Sequence, residues 1–127
     1  MGEITAKRDP ANSGTIFSKI IRKEIPAEIV FENDEVLAFK DINPQAPVHI
    51  LIIPKITEIE TTRDIDPGKH NAILGSLIEA ANVIAKDFGV NESGFRLVLN
   101  CGADAGQEVY HLHLHLLGGR KMNWPPG

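Results

Sequence analysis

Hydrophobic and polar side chains alternate strictly within residues 110–119, where His111, His113 and His115 are each followed by a leucine. A period of two is typical of a β-strand that places a different kind of side chain on each face. We therefore predict a strand over 110–119 whose three imidazoles share one face while its leucines lie in the core. Two glycines at the end of the run indicate where the strand stops.

Four further apolar runs predict strands, because they are short, rich in β-branched and aromatic residues, and bounded by turn residues. The first two runs are separated by Asn33 and Asp34, which favour a tight turn and hence an antiparallel hairpin. The third run is apolar almost throughout, which indicates a central strand covered on both faces. The four predicted strands are 28–32, 35–40, 48–53 and 94–100.

Apolar positions that recur every three or four residues predict two helices, a short one over 15–23 and a long one over 67–88. Asp66 can cap the long helix, Pro67 suits its first position and Gly89 can end it. Strands dominate the chain, so the predicted class is α+β with a mostly antiparallel sheet. The apolar stripe of the long helix, predicted to cover one face of that sheet, is Ile73, Leu74, Leu77, Ile78, Ala81, Ile84, Ala85 and Phe88.

The composition is that of an ordinary globular protein: 127 residues, of which 43% are hydrophobic and 24% charged. Residues 1–14 are polar and are predicted to form a flexible N-terminal arm, and residues 15–127 a single domain. The formal net charge is −4 and no basic stripe is present. This balance excludes a long nucleic acid as the partner but allows a small nucleotide.

The lone cysteine, Cys101, excludes an intrachain disulfide framework and fits a reducing compartment. No apolar run approaches the length of a membrane span, and the first residues lack the apolar region of a signal peptide. We therefore expect a cytoplasmic protein, with the nucleus as an alternative, that has no membrane partner.

The histidine row has three interpretations: nucleophilic catalysis, a metal site, or a histidine-rich surface. Strict alternation opposite an apolar face makes the last the least favoured. Neutral imidazole is a good nucleophile towards phosphorus, provided that its second nitrogen donates a hydrogen bond; the carbonyl two residues back is a candidate acceptor. His115 could then donate to a phosphate oxygen, and the loop amides around Gly102 and Gly106 could receive negative charge.

A metal ion is the second functional interpretation, since histidines at i and i+2 on a strand can both reach one ion. The candidates for a further ligand are Asp41, Asp104, Glu108 and Cys101, and none stands at a spacing typical of a metal motif. Catalysis or phosphate binding is therefore favoured over metal binding. His49, at the start of the central strand, is by itself more typical of a structural residue, but it could join the row.

The run His111-Leu-His113-Leu-His115-Leu-Leu resembles the His-φ-His-φ-His-φ-φ signature of the histidine triad (HIT) superfamily. Other segments resemble its Hint branch, the histidine triad nucleotide-binding proteins, so that the resemblance extends from about Thr15 to the C-terminus. These segments are residues 16–27, 37–39, 41–47, 49–55 and 118–127.

The resemblance implies a HIT-like fold, with a five-stranded mostly antiparallel sheet, one long helix and one short helix. It implies a purine nucleoside phosphoramidase, or a nucleoside monophosphate hydrolase, that forms a covalent nucleotidyl-histidine and needs no metal or cofactor. The ligand would be a purine nucleoside monophosphate or phosphoramidate, and two chains would form a homodimer with one continuous sheet. The alternatives are a non-catalytic nucleotide-binding or scaffolding dimer, a dinucleoside polyphosphate hydrolase and a zinc protein.

By the same resemblance, His113 is the nucleophile and His115 contacts the phosphate. His111 and His49 would support and polarise the nucleophile, and Asp41 would bind the ribose hydroxyls. The apolar slot for the base would be Ile16, Phe17, Ile20, Phe39 and Ile42, and the surroundings of ribose and phosphate would be Asn100, Gly106, Gln107 and Val109.

One position of the nucleotide site departs from the pattern of the resemblance. Glu108 stands where close relatives carry a serine that is thought to assist the leaving group. A carboxylate at this position adds repulsion against phosphate. We therefore expect Glu108 to affect catalytic efficiency or substrate preference.

Overall fold

The computed structural model describes residues 8–9 and 14–127, and its main element is a five-stranded antiparallel sheet. The strands are β1 (Arg8–Asp9), β2 (Gly14–Thr15), β3 (Ile29–Glu32), β4 (Val36–Lys40), β5 (Val48–Pro54), β6 (Phe95–Val98) and β7 (Leu114–Gly118). The main sheet has the order β3-β4-β5-β7-β6, and β1 pairs with β2 separately. The predicted α+β class and strand count of this sheet are confirmed.

The hairpin and the central strand are both present as predicted. Asn33 makes the turn of the hairpin, since its side-chain oxygen accepts the N–H groups of Glu35 and Val36 at 2.9 and 2.8 Å. β5 lies between β4 and β7, and every residue from His49 to Pro54 is buried. The ends of these strands and of β6 differ from the predicted ones by two residues or fewer.

The short helix, α1 (Ile16–Ile21), begins as predicted but ends earlier. Thr15 caps it by accepting N–H groups of the first turn. Lys23 adopts a left-handed conformation with a φ of 62°, and the N–H of Glu24 then bonds to the carbonyl oxygen of Lys19 at 2.9 Å. This arrangement satisfies carbonyl groups at the helix end and turns the chain towards β3.

The long helix, α2 (Pro67–Asp87), packs against one face of the sheet and confirms the predicted helix. Asp66 caps it by accepting the N–H of Gly68 at 3.0 Å. The prediction of a buried Ile78 is wrong, because this side chain is 46% exposed. It is rotated about 100° around the helix from the buried Leu77. The buried apolar residues of α2 are Leu77, Ala80, Ala81, Ile84 and Ala85.

The strand predicted over 110–119 is shorter than expected, because β7 begins only at Leu114, opposite Ile52 of β5. The N–H of Leu112 donates instead to the carbonyl oxygen of Ile59, in the loop after β5, at 2.9 Å. A loop carbonyl thus accepts the N–H that a neighbouring strand would otherwise have bound. His111 and His113 therefore precede β7.

The predicted separation of faces nevertheless holds. The leucines that alternate with the histidines pack with α2 in the larger apolar cluster. On the opposite side of the sheet, Phe17 of α1 packs with residues of β4 and β5, and its ring contacts the imidazoles of His111 and His113. The histidine row therefore faces α1.

Of the arm predicted for residues 1–14, the structure describes Arg8, Asp9 and Gly14, so this prediction lies mostly outside the described residues. A 3₁₀ helix at Thr62–Asp64 is present without having been predicted. Within residues 8–9 and 14–127, no helix has the length and apolar character needed to cross a membrane.

Candidate active site

A pocket of about 770 Å³ lies between α1 and the sheet, a volume suited to a small-molecule ligand. Its walls come from α1, the segments after α1 and β4, and the loop between β6 and β7. The lining residues are Ile16, Phe17, Lys19, Ile20, Ile25, Pro26, Ala27, Phe39, Lys40, Asp41, Ile42, Asn43, Leu51, Asn100, Gly106, Glu108, Val109, His113 and His115.

His113, on the pocket wall, has a defined tautomer. Its Nδ1 lies 2.8 Å from the carbonyl oxygen of His111, and a carbonyl can only accept, so Nδ1 carries the proton. The acceptor is the carbonyl two residues back, as predicted. Burial lowers the pKa of His113 below its ordinary 6.5, although the bond to His111 opposes this shift. At neutral pH, Nε2 of His113 therefore holds a free lone pair.

His111 is buried behind the pocket rather than exposed to it. Its Nε2 donates to the carbonyl oxygen of Pro54 at 2.8 Å, which ties it to the end of β5. Burial lowers the pKa of His111 to about 4, so the ring is neutral over the physiological range. His111 thus orients His113 through its backbone carbonyl while its own ring is fixed by another strand.

His49 and His115 form a pair across β5 and β7, with Nε2 of His49 3.0 Å from Nδ1 of His115. The backbone N–H of Gln45 donates to Nδ1 of His49 at 3.0 Å, so this nitrogen must hold a lone pair. Burial lowers the pKa of His49, and a neutral imidazole has one N–H, which here is on Nε2. His49 therefore donates to His115, and the proton of His115 is on Nε2.

The Nε2–H of His115 is buried and has no hydrogen-bond partner among the described residues. Burial is also the main reason why the pKa of His115 is lowered to about 4. A buried polar group without a partner is costly, and such groups mark places where a ligand or water completes the bonding. Because His115 lines the pocket, its Nε2–H is suited to donate to a bound oxygen atom.

Asp41 lies at the mouth of the pocket and is held by its own loop. One carboxylate oxygen accepts the N–H of Asn43 at 2.8 Å. The other lies 3.4 Å from Nε2 of His49 and competes weakly with His115 for that proton. The carboxylate is partly exposed, so it is available to a ligand hydroxyl.

Asp41, His49 and His115 also bring three potential metal-ligand atoms within 4.8 Å of one another. A metal ion needs lone pairs on those atoms. Nε2 of His49 carries a proton, and that proton cannot move to Nδ1 while the N–H of Gln45 points there. The hydrogen bonds of this cluster therefore do not fit a metal ion without a change in the loop that contains Gln45.

All predicted nucleotide-binding residues except Gln107 line the pocket; their roles stay predictions. Gln107 is 3% exposed, and its side chain holds the β6–β7 loop together. Its amide oxygen accepts the N–H of Gly102 at 3.0 Å, and its amide nitrogen donates to the carbonyls of Glu60 and Val109 at 2.7 and 3.1 Å. Gln107 therefore holds the loop together and does not line the pocket, and its predicted role in nucleotide binding stays a prediction. The pocket residues in agreement are Ile16, Phe17, Ile20, Phe39, Asp41, Ile42, Asn100, Gly106, Glu108 and Val109.

Several pocket residues are not predicted from the sequence. Leu51 could have been found, because period two on β5 places it on the same face as His49 and it pairs with His115. The segment after α1 could not, since its path depends on the left-handed conformation of Lys23. The residues missed are Lys19, Ile25, Pro26, Ala27, Lys40, Asn43 and Leu51.

We expect acid to destabilise the fold through the buried imidazoles. His111 has a pKa of about 4 when folded and about 6.5 when unfolded, so between these values only the unfolded chain binds its proton. Its contribution is complete above pH 6.5 and is lost as the pH falls to 4, a loss of about 3 kcal/mol in the free energy of unfolding. Urea unfolding across this pH range measures it.

The matched variant for this measurement is His111→Gln. A glutamine amide can still donate to the Pro54 carbonyl, but it does not titrate. The variant should lose clearly less stability than the wild type between pH 6.5 and 4. Equal losses in the two proteins would show that His111 is not responsible.

Residues 22–122 match the family model described as HIT domain. The chain is similar to an Arabidopsis thaliana protein named adenylylsulfatase HINT1, with 55% identity over 118 residues, covering 93% of this chain and 80% of the relative. It is also similar to a Zea mays protein named 14 kDa zinc-binding protein, with 56% identity over 116 residues, covering 91% of this chain and 90% of that relative.

Among solved structures, the chain is similar to a HIT family hydrolase from Legionella pneumophila Philadelphia 1. The TM-score is 0.85 and the identity 51%, and the match covers 88% of this chain and 98% of that one. The match to the family model includes the three histidines of the row, His49 and Asp41. The chain therefore belongs to the HIT family, and within it to the Hint branch.

Proposed function

We propose that the chain is a purine nucleoside phosphoramidase that attacks the α-phosphorus through His113. The observation that carries the proposal is the neighbouring pair of imidazoles on the pocket wall, His113 and His115, whose ring centroids are 4.9 Å apart. One ring has a free nitrogen lone pair, and the other has an N–H for which residues 8–9 and 14–127 offer no hydrogen-bond partner. A nucleophile beside a donor for the phosphate oxygen is what phosphoryl substitution requires.

The first step forms a bond between Nε2 of His113 and phosphorus, and the bond from phosphorus to the leaving nitrogen breaks. The departing nitrogen takes a proton from water and leaves as the neutral amine, and the hydroxide formed is neutralised by the proton that the second step releases. Because Nδ1 keeps its proton, the substituted ring is cationic, and the His111 carbonyl at 2.8 Å stabilises that charge. Water then attacks phosphorus, the N–P bond breaks and a water proton passes to the solvent. His113 regains its lone pair and the nucleoside monophosphate leaves.

The exposed apolar residues at the pocket mouth support binding of a flat, apolar base. Ile42 is completely exposed and Ile16 is 46% exposed, although both line the pocket. A purine placed between them and Phe39 would remove this surface from water. Asp41 lies between this slot and the histidines, where a ribose hydroxyl could donate to its carboxylate.

Adenylyl sulfate is a second candidate substrate, favoured by the name of the Arabidopsis relative. It is a mixed anhydride of a nucleoside monophosphate and sulfate. His113 would attack the same phosphorus atom, and sulfate would leave without needing a proton. One site therefore accounts for both substrates, because the attacking and stabilising groups act on the phosphate and not on the leaving group.

The name of the maize relative raises zinc as an alternative. The proton on His49 Nε2, held there by the Gln45 N–H, opposes metal binding at the cluster of Asp41, His49 and His115. We therefore propose a reaction that uses imidazoles alone. Elemental analysis of the purified protein tests this point, since about one tightly held zinc per chain would contradict it.

The decisive variant is His113→Ala, assayed with a fluorogenic adenosine phosphoramidate and with adenylyl sulfate. Removing the nucleophile should lower kcat/KM for both by about a thousandfold or more, roughly 4 kcal/mol of barrier. His70→Gln is the matched control, because His70 is equally buried but lies on α2, on the other face of the sheet. It should keep nearly full activity.

Mass spectrometry of the wild type quenched during turnover should detect a nucleotide attached to His113. Turnover by His113→Ala within about tenfold of the wild type, roughly 1.4 kcal/mol, would refute this nucleophile. Binding of a nucleoside monophosphate without any turnover by the wild type would favour the non-catalytic dimer. If the wild type cleaved only dinucleoside polyphosphates, the chain would be a dinucleoside polyphosphate hydrolase instead.

The charge of Glu108 should discriminate between leaving groups. Its carboxylate is exposed on the pocket wall, where it repels a departing sulfate more than a neutral amine. Glu108→Gln keeps the shape and removes the charge, so kcat/KM for adenylyl sulfate should rise about threefold at low salt. The phosphoramidate rate should change less. Equal effects on both substrates, or effects that persist in high salt, would contradict an electrostatic role.

We also propose that two chains pair along β6. This strand is at an edge of the described sheet, and unpaired strand edges favour further pairing. Leu99 is 42% exposed at its end, and Trp124 is 81% exposed, with its ring 5.9 Å from the guanidinium of Arg96 on β6. The C-terminal tail therefore lies beside the proposed interface.

Sedimentation at micromolar concentration should give twice the chain mass of 13.9 kDa. Leu99→Glu should weaken the dimer at least about tenfold, about 1.4 kcal/mol, because the new charge must lose its hydration at the interface. Ile42→Glu makes the same kind of change at the pocket mouth and should leave the mass unchanged. A wild type that sediments as a single chain would refute the interface.

A further inference from the structure

The loop between β4 and β5 contains a residue that connects the segment after β7 to the histidine pair. The N–H of Gln45 donates to His49, as described above, and the carbonyl oxygen of Gln45 accepts two bonds from Arg120. The donors are Nε of Arg120 at 3.2 Å and Nη2 at 3.1 Å. The remaining Nη1 donates to the carbonyl oxygen of Lys121 at 3.1 Å.

We propose that Arg120 is a positioning residue, which holds Gln45 in place and so keeps His49 and His115 in the tautomers that stabilise a phosphate oxygen in the transition state. Arg120 does not line the pocket, so it acts through Gln45 and not on the ligand. The inference rests on the proposed function, because the tautomer of His115 matters to the reaction only if its Nε2–H meets a phosphate oxygen.

The backbone around Gln45 is already constrained, so that one anchor is enough to set its position. The β5–β7 ladder ends with the pair Val48 and Gly118, and the next residues continue in close contact. A side chain at Gly119 would place its Cβ 2.9 Å from the Cβ of Pro47, closer than atoms can approach. Arg120 follows directly and reaches across to Gln45, two residues before Pro47.

The N–H of Gln45 is the main determinant of where the protons lie in the pair, and the Asp41 carboxylate, 3.4 Å from Nε2 of His49, adds a weaker preference for the same tautomer. If Gln45 moves away, Nδ1 of His49 is free to take the proton, and Nε2 then becomes an acceptor. His115 would donate from Nδ1 to that acceptor, leaving a lone pair on its own Nε2. A lone pair directed at a phosphate oxygen is repulsive, so the donor required in the transition state is lost.

A competing explanation is that Arg120 simply adds positive charge near an anionic ligand. The two explanations predict different results at the adjacent Lys121, which is also exposed and cationic. Its carbonyl receives a bond from Arg120, but this bond survives any change of the Lys121 side chain. Lys121→Ala therefore removes the same charge while leaving the anchor intact, and it serves as the matched control.

The test compares Arg120→Ala, Arg120→Lys and Lys121→Ala in the full chain. The first readout is the set of imidazole ¹⁵N shifts, which distinguish protonated from lone-pair nitrogens. We expect the wild type and Lys121→Ala to show the proton on Nε2 of both His49 and His115. Arg120→Ala should move part of the His115 proton to Nδ1, and Arg120→Lys, which keeps one donor, should restore part of the wild-type pattern.

The second readout is the kinetics with the adenosine phosphoramidate. Arg120→Ala should lower kcat about tenfold, while KM stays within about twofold, because the lost donor acts mainly in the transition state. A charge effect would instead raise KM in Arg120→Ala and Lys121→Ala alike, and that outcome would overturn the proposal.

The spectroscopic readout separates this inference from the proposed function. Unchanged tautomers of His49 and His115 in Arg120→Ala would overturn the positioning role, whatever the activity. A wild type that cleaves no nucleotide substrate would refute the proposed function, yet a tautomer shift in Arg120→Ala would still establish that Arg120 sets the proton positions. If Arg120→Ala does not fold, Arg120→Lys takes its place in the test. The proposal then requires a partial change of the His49 and His115 tautomers in Arg120→Lys.

Discussion

The hydrogen bond from Nδ1 of His113 to the carbonyl oxygen of His111, at 2.8 Å, is the interaction on which the site depends. It decides which ring nitrogen carries the proton and so which one is free to react. Because donor and acceptor are two residues apart, the backbone between them must be held in one conformation. β7 holds it on one side, and the bond from the N–H of Leu112 to the carbonyl of Ile59 holds it on the other.

Burial keeps the four imidazole rings neutral, and the pattern of hydrogen bonds between them requires neutral rings. Desolvation lowers the pKa of His111 and His115 to about 4 and also lowers the pKa of His49 and His113. An imidazolium at His113 would have no lone pair. An imidazolium at His115 would direct its Nδ1–H at the Nε2–H of His49. His49 could not avoid this repulsion by moving its proton to Nδ1, because the N–H of Gln45 points at that nitrogen.

One face of the sheet packs against α2 and stabilises the fold, and the opposite face, next to α1, forms the pocket. α2 covers its face with a continuous apolar cluster, which also buries the leucines that alternate with the histidines. α1 has six residues and covers only part of the opposite face, because the left-handed Lys23 ends it. The uncovered part is the pocket. The same strands therefore present a packed core on one side and reactive side chains on the other.

The periodicity of apolar residues in the sequence was enough to predict which side chains share a face of a strand or helix. The alternation over 110–119 determined that the imidazoles lie opposite the leucines, and the three- and four-residue spacing determined most of the buried side of α2. The resemblance to a known family identified most of the pocket residues. Other features depend on groups far apart in the chain, which local periodicity does not report.

Tertiary structure decided where β7 begins, since the carbonyl of Ile59 takes the N–H of Leu112. It also decided that His49 meets His115, 66 residues away, and which nitrogen of each ring carries the proton. These outcomes follow from strand pairing and from single backbone donors and acceptors. Their positions exist only once β5 and β7 have paired, so no pattern in the sequence could specify them.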